Sequence, residues 1–370
     1  MFDLMMRKIA FGVVLGLGVA AAAHAQVTDD ARVVLVMTDG MRWQEIFRGA
    51  DASLLVPERY FDKRDVTELK GKYLAVTPEE RRKKLMPFLW STFVPQGQIY
   101  GDRDAGSDVS VTNGFNFSYP GYNETLTGHG DPRVDSNDDR PNPNLTVLAW
   151  VNRQKGFEGS VAAFGAWHVI ANVVNPANCA GCMVNAAYDP AAMSPMTDGM
   201  QLLNDIKRNS PHVWADESYD APTFYTAMEY IKAKKPRVVF LSLGETDDWA
   251  HAGNYGEYLE SAHRVDGYMK DLWDQLQSMA EYKGKTTMIF LVDHGRGSAP
   301  EEWKGHGQKI PESKYIFMGF MGRGVPALGL RENVAPVMQS QVAATLAKYL
   351  GLDWNAAEKQ AGLPVKDTLK

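Results

Sequence analysis

The chain has 370 residues, 39 Lys and Arg against 45 Asp and Glu, a formal charge of −6, and a 45% hydrophobic composition. These values exclude a disordered, collagen-like or disulfide-dense chain. The acidic balance argues against a sequence-independent grip on nucleic acid, which needs a basic face.

At the N-terminus, Arg7 and Lys8 precede an uncharged run over residues 9–23, followed by Ala23-His24-Ala25. A basic start, a short apolar stretch and a small-x-small site predict a signal peptide over residues 1–25. The mature chain, 26–370, is then expected in a periplasm or outside the cell. The apolar run is too short for a membrane span, and no later stretch is long enough, so no span is expected in the mature chain.

Five β-branched or apolar runs read as buried strands: residues 33–37, 161–164, 238–243, 288–292 and 316–320. Each is nearly continuously hydrophobic, as a strand covered on both faces should be. Helical patterns fill the intervals, over 77–93, 145–154, 219–234 and 337–350. The clearest has Tyr258, Ala262, Val265, Met269, Leu272, Leu276 and Met279 on one stripe. Strands alternating with helices predict a single three-layer α/β/α domain on a mostly parallel central sheet, with loop insertions. One insertion is the polar segment 129–144. Another, 172–200, contains Cys179 and Cys182. In an oxidising compartment this C-x-x-C pair is expected to form a local disulfide, since zinc would need two further ligands and no second C-x-x-C exists.

In such sheets ligands gather at the carboxyl ends of the strands. The first run exits into Thr38-Asp39-Gly40. The third exits into Gly244-Glu245-Thr246-Asp247-Asp248-Trp249-Ala250-His251. The fourth exits into Asp293-His294-Gly295, and Gly305-His306-Gly307 follows shortly after. Carboxylates and neutral imidazoles suit Zn²⁺ or Mn²⁺. Asp247 and His251 are four apart, so one helical turn can aim both at one ion. Taken singly, each element is ordinary: a turn, a helix cap, a solvated pair. Three strand exits carrying them in this order are not. His168, His212 and His263 lack such a setting, and His129 stays open. Ser118, in Phe117-Ser118-Tyr119-Pro120-Gly121, precedes a helical pattern and can serve as a nucleophile or merely as an N-cap.

These blocks together resemble the alkaline phosphatase superfamily, most closely its nucleotide pyrophosphatase/phosphodiesterase branch. The resemblance rests on strand-Asp39-Gly40, Ser118-x-Pro120 running to Thr127-Gly128, Asp247-x-x-x-His251, Asp293-His294-Gly295 and His306-Gly307. It implies an alkaline-phosphatase-like fold and two divalent metal ions, usually zinc. Asp39, Ser118, Asp293 and His294 would surround one ion; Asp247, His251 and His306 would hold the other, with Asp248 as a substitute for Asp247. It implies a metal-dependent phosphoric ester hydrolase acting on a small-molecule phosphoester, monoester or diester, through a phosphoserine on Ser118. A phosphate-oxygen-binding Asn is expected in the Asn-rich loop, with Asn137 the first choice and Asn142 the second. Arg133, Arg140, Arg296 and Lys304 are the cations available for a second phosphate charge, and Tyr119 and Tyr122 can line a leaving-group pocket or lie in the core. A sulfatase of this superfamily would need a C/S-x-P-x-R signature, and Tyr122 stands where the Arg should be. A sulfatase-like hydrolase and a non-catalytic exported binding protein remain as the alternatives. Three acids facing two divalent ions would leave the pocket net positive, so the global acidity does not disfavour a phosphoester there.

Overall fold

The computed structural model describes residues 30–57 and 66–370. The expected signal peptide lies outside the described residues. Among the described residues, ten strands form in chain order: β1 Arg32–Thr38, β2 Gly97–Tyr100, β3 Val109–Ser110, β4 Val161–Gly165, β5 Met183–Ala186, β6 Val238–Leu243, β7 Thr286–Val292, β8 Met318–Gly322, β9 Gly329–Leu330 and β10 Val337–Met338. Eight of them make one sheet in the order β5-β4-β6-β1-β7-β8-β2-β9, and β10 pairs with β3. The strands from β5 to β7 are mutually parallel, and β8 runs against both of its neighbours. Every residue of β4, β6 and β7 is buried. Successive side chains point to opposite faces, so both faces of the sheet are covered.

The register positions the site. Thr38 at the end of β1 pairs with Leu243 of β6 and with Val292 of β7. Three parallel neighbours therefore end level, and whatever follows them meets at one edge. The backbone continues the alignment: the Asp39 N–H donates to Leu243 O at 2.8 Å.

Some elements differ from the expectation. The helix expected over 77–93 runs only over Pro78–Leu85 and gives way to a wider turn at Leu89–Phe93. Met86 precedes Pro87, which pushes it out of the helical region, and it adopts φ −130°, ψ 73°. The helix expected over 337–350 is Val342–Tyr349, because Val337 and Met338 are taken by pairing with β3. The strand expected at 316–320 lies two residues later. Segment 172–200 is not wholly irregular: β5 sits inside it at the sheet edge. Cys179 and Cys182 form the expected disulfide. Segment 129–144 carries no helix or strand.

The helix Asp198–Asn209 turns Lys207 inward, 1% exposed, where its ammonium donates to Asn185 Oδ1 of β5 at 2.7 Å. Burial pushes Lys207 down to about 8. Between pH 8 and the ordinary lysine value the folded chain therefore binds fewer protons than the unfolded one, so stability rises with pH across that window. Relative to Lys207→Met, the wild type should gain up to about 3 kcal/mol between pH 8 and 10.5. Urea denaturation of both proteins at pH 7.5, 9 and 10.5 measures this; a difference that stays constant contradicts it.

Candidate active site and metal centre

Ser118 opens the helix Ser118–Thr127, and the cap is Phe117, extended at φ −145°, ψ 176°. The Ser118 side chain makes no capping bond, so the N-cap reading of this serine is set aside. Its Oγ instead faces Asp39 Oδ1 at 3.4 Å and His294 Nε2 at 3.3 Å. His294 Nε2 lies 3.3 Å from Asp39 Oδ1 and 3.4 Å from Asp293 Oδ2. Asp293 Oδ2 is buried and has no hydrogen-bond partner. Its other oxygen accepts from the Gly40 and His294 N–H groups, at 3.0 and 2.8 Å. Ligand atoms on one tetrahedral zinc ion lie about 3.3 Å apart, given bonds of about 2.0–2.1 Å. The separations of His294 from Ser118, Asp39 and Asp293, and of Ser118 from Asp39, match that spacing, and an orphaned carboxylate oxygen beside them fits a cation.

A second group adjoins the first. Asp247 and His251 share one face of the helix Glu245–His251, with His251 Nε2 3.0 Å from Asp247 Oδ2. His306 Nε2 is 3.0 Å from His251 Nε2 and 3.9 Å from Asp247 Oδ1. Asp247, His294 and His306 also present ligand atoms close enough to share an ion, so His294 stands between the two groups. Burial, then the neighbouring His294, holds the His306 ring down at about 2, which keeps it neutral and able to ligate. All seven side chains expected to ligate are thus brought together. Asp248 is not among them: its carboxyl sits beside Glu217, and burial, then Asp247, pushes it up to about 8.

Several contacts around the site are visible only in the fold. Tyr122, expected as pocket lining or core, is fully buried; it donates to Asp39 Oδ2 at 3.0 Å and accepts from Ser242 Oγ at 2.8 Å. Burial, then Asp39, raises its phenol well above the ordinary tyrosine value, so it remains a donor. It leaves Oδ1 of Asp39 to face Ser118. Glu124, in the same helix, accepts from the backbone N–H groups and side chains of Thr112 and Asn113, pinning the loop that leads to Ser118. Arg296, directly after Asp293-His294-Gly295, donates to Gly40 O, Lys304 O and Asp247 O, and pairs with Asp247 Oδ1. Burial by itself would raise Asp247; Arg296 and His251 outweigh it and hold the carboxyl well below the usual range. Gly40 makes room for this arrangement. It adopts φ +57°, and a Cβ there would fall 2.2 Å from Asp247 Oδ1. Nothing in the local pattern distinguishes Tyr122, Glu124 or Arg296 as supports.

The remaining expected residues fall as follows. Asn137 Oδ1 accepts the Tyr119 N–H at 2.9 Å, which places Asn137 beside Ser118. Asn142 is buried and consumed: it donates to Val173 O and accepts the Asn144 N–H. Arg133 is bound to Asp131 and Asn144 and lines a cavity of about 210 Å³ with Tyr119 and Arg140. Lys304 lies against Gly253, with Glu301 at 4.0 Å. His129, His168, His212 and His263 each have other partners: Glu358, Asp216, the Tyr188 ring and Leu85 O. On the opposite face of the helix Glu245–His251, Glu245 and Trp249 line a cavity of about 690 Å³ with Tyr188, Tyr219 and Tyr268.

A mostly parallel sheet whose level strand ends carry this cluster has the fold of the alkaline phosphatase superfamily. Wild-type alkaline phosphatase PafA superposes with a TM-score of 0.57 at 11% identity, over 91% of this chain and 98% of that one. A protein in the alkaline phosphatase superfamily from Vibrio parahaemolyticus gives 0.52 at 12%, over 94% and 72%. A 2-O GAG sulfatase gives 0.51 at 13%, over 92% and 74%. No protein of curated function matches the sequence. Residues 105–364 match the type I phosphodiesterase / nucleotide pyrophosphatase family, and the chain belongs to that family. It is therefore a hydrolase of phosphoryl or sulfuryl esters. No helix among the described residues is long and apolar enough to cross a membrane.

Proposed function

We propose that the protein is an exported, metal-dependent phosphoric ester hydrolase that works through a phosphoserine on Ser118. The observation that carries this reading is the Ser118 hydroxyl held 3.4 Å from Asp39 and 3.3 Å from His294 at the start of a ten-residue helix. Asp39, Asp293, His294 and Ser118 would hold one divalent cation and Asp247, His251 and His306 the other, zinc being the simplest match to the donors. Such ions supply Lewis-acid charge that lowers the pKa of the attacking hydroxyl and neutralises the leaving oxygen. The chain does the rest. Ser118 Oγ gives up its proton to solvent as it bonds to phosphorus, the ester oxygen leaves with the electron pair, and water then displaces Oγ from phosphorus, which releases the phosphate and restores the serine hydroxyl. The helix start favours the negative charge that gathers on the phosphoryl oxygens. Asn137 has its amide oxygen committed to Tyr119, so its amide nitrogen is the group that donates to a phosphoryl oxygen.

Charge favours a diester over a monoester. Arg296 is committed to Asp247, Arg133 to Asp131, Arg140 to Asp138, and Lys304 lies along Gly253 beside Glu301. None of the four is posed as a dedicated partner for a second phosphate charge. A sulfatase reading is disfavoured because Tyr122, at the position of the signature Arg, is buried on Asp39. Export rests on the charged and apolar pattern of residues 1–25.

The test is metal analysis of the purified protein together with rates on p-nitrophenyl phosphate, its bis ester and p-nitrophenyl sulfate. The expected result is about two zinc per chain, with the bis ester cleaved faster than the other two. Absence of bound metal, with no activity recovered on adding zinc, overturns the reading.

A further inference from the structure

We propose that the cavity of about 690 Å³ behind the helix Glu245–His251 is a second ligand site, for an uncharged planar aromatic molecule that carries both hydrogen-bond donors and acceptors. The inference rests on the cavity and not on the two-cation reading.

The helix separates this cavity from the metal groups. Asp247 and His251, four apart, share one face; Glu245 and Trp249, also four apart, share the other. Neither Ser118 nor any of the expected metal ligands lines the cavity, and it is distinct from the smaller one beside Tyr119.

Its volume lies in the range of small-molecule sites, and its walls are aromatic and held in place. Trp214 packs edge-on against both Trp249 and Tyr219, with ring centroids 5.0 and 5.2 Å apart. Phe224 stacks on Tyr268 at 4.3 Å. The Tyr188 hydroxyl is within hydrogen-bond reach of Glu217 O at 2.8 Å and Trp214 O at 3.1 Å. Rings fixed in advance lose little freedom when a flat ligand packs against them.

Charge selects among aromatic ligands. Two cations, Lys207 and Arg264, and two anions, Glu245 and Glu257, line the cavity, so their formal charges cancel. Lys207 is buried and donates to Asn185. Glu245 is also committed: Oε1 accepts the Asp220 N–H, and Oε2 accepts from Ser261 and Arg264. Arg264 is bound through Nη2 alone among the described residues, and 37% of its side chain stays exposed, so it has donors to offer. Glu257, an acceptor, lies seven residues earlier on the helix Tyr255–Ser278, about 10 Å along its axis. A ligand with a net charge would leave that charge uncompensated in a desolvated space. A neutral ring with an acceptor toward Arg264 and a donor toward Glu257 would not.

The experiment uses the full chain and three probes built on one ring system: 2-naphthamide, 2-naphthoate and the 2-naphthyltrimethylammonium ion, followed by titration calorimetry. Saturable binding of 2-naphthamide is expected, at least about tenfold tighter than either charged probe. It should persist after metal is stripped with EDTA and in the presence of millimolar inorganic phosphate. Ala221→Trp, which fills the cavity, and Trp249→Ala, which removes a wall, should each weaken it at least about tenfold. No saturable binding, tighter binding of a charged probe, competition by phosphate, loss on stripping metal, or unchanged affinity in a folded Ala221→Trp protein overturns the proposal. If neither variant folds, hydrogen exchange of the wild type decides it. Protection by 2-naphthamide should fall in segments 207–222 and 245–268, and protection confined to other segments overturns it.

Discussion

Replacing Ser118 by alanine should lower phosphoester turnover by a factor on the order of 10⁴ or more while leaving bound metal largely in place. In the proposed mechanism Oγ is the attacking atom, and the other proposed ligands, Asp39 and Asp293, are anchored independently of it: Asp39 by Tyr122, and Asp293 by the Gly40 and His294 N–H groups. The fold should hardly register the change. A serine that capped its helix would cost about 1 kcal/mol on conversion to alanine. Ser118 makes no such bond, so the change in stability should stay within about 0.5 kcal/mol. Steady-state rates, metal content and a thermal melt on the same preparation distinguish the outcomes. Retained turnover with a normal melt would rule out Ser118 as the nucleophile. A large drop in stability would instead revive its structural role.

His294→Ala should be more damaging, because this imidazole serves both groups. Nε2 reaches Asp39 at 3.3 Å, Asp293 at 3.4 Å and Asp247 at 3.8 Å, and the side chain is fully buried. Nδ1 lies 2.9 Å from Gly295 O, which accepts only if Nδ1 carries the proton, so Nε2 is the ring nitrogen turned to the cluster. Removing the ring takes away a ligand and its orientation together, and metal affinity should fall at least 100-fold. It also leaves three carboxyl groups around a cavity. The large-to-small change should cost about 2–4 kcal/mol, in the range of other buried truncations. Metal analysis after dialysis and urea denaturation measure the two effects. Full metal content in a folded His294→Ala protein would remove His294 from the centre.

Much of the centre was legible in the sequence because its chemistry is attached to local patterns. A run such as Val238–Leu243 is recognisable as a buried strand from its own residues. Asp39, Asp247 and the Asp293-His294 pair stand just beyond such runs. The i, i+4 spacing of Asp247 and His251 needs only a helix to be read. The long helix Tyr255–Ser278 followed from one apolar stripe. Short or mixed strands did not declare themselves. Gly97–Tyr100 contains Gln98, whose amide is satisfied in the interior by Pro326 O and Asp367 O, partners more than 220 residues away.

The choice between Asn137 and Asn142 was likewise undetermined locally. It turned on Asn142 being enclosed by the backbone of residues 172 and 173, while Asn137 meets Tyr119. Arg296 looked like one more available cation, and Tyr122 like core or pocket lining. Their places on Asp247 and Asp39 come from contacts 49 and 83 residues apart. Which residue types leave the strand ends is readable from neighbouring residues alone, because polarity and periodicity act over short distances. That β6, β1 and β7 lie side by side and end level, and which buried groups hold Asp39, Asp247 and Asp293 in place, is set by the folded arrangement. Strand order and register depend on packing between segments that the chain brings together only when it folds.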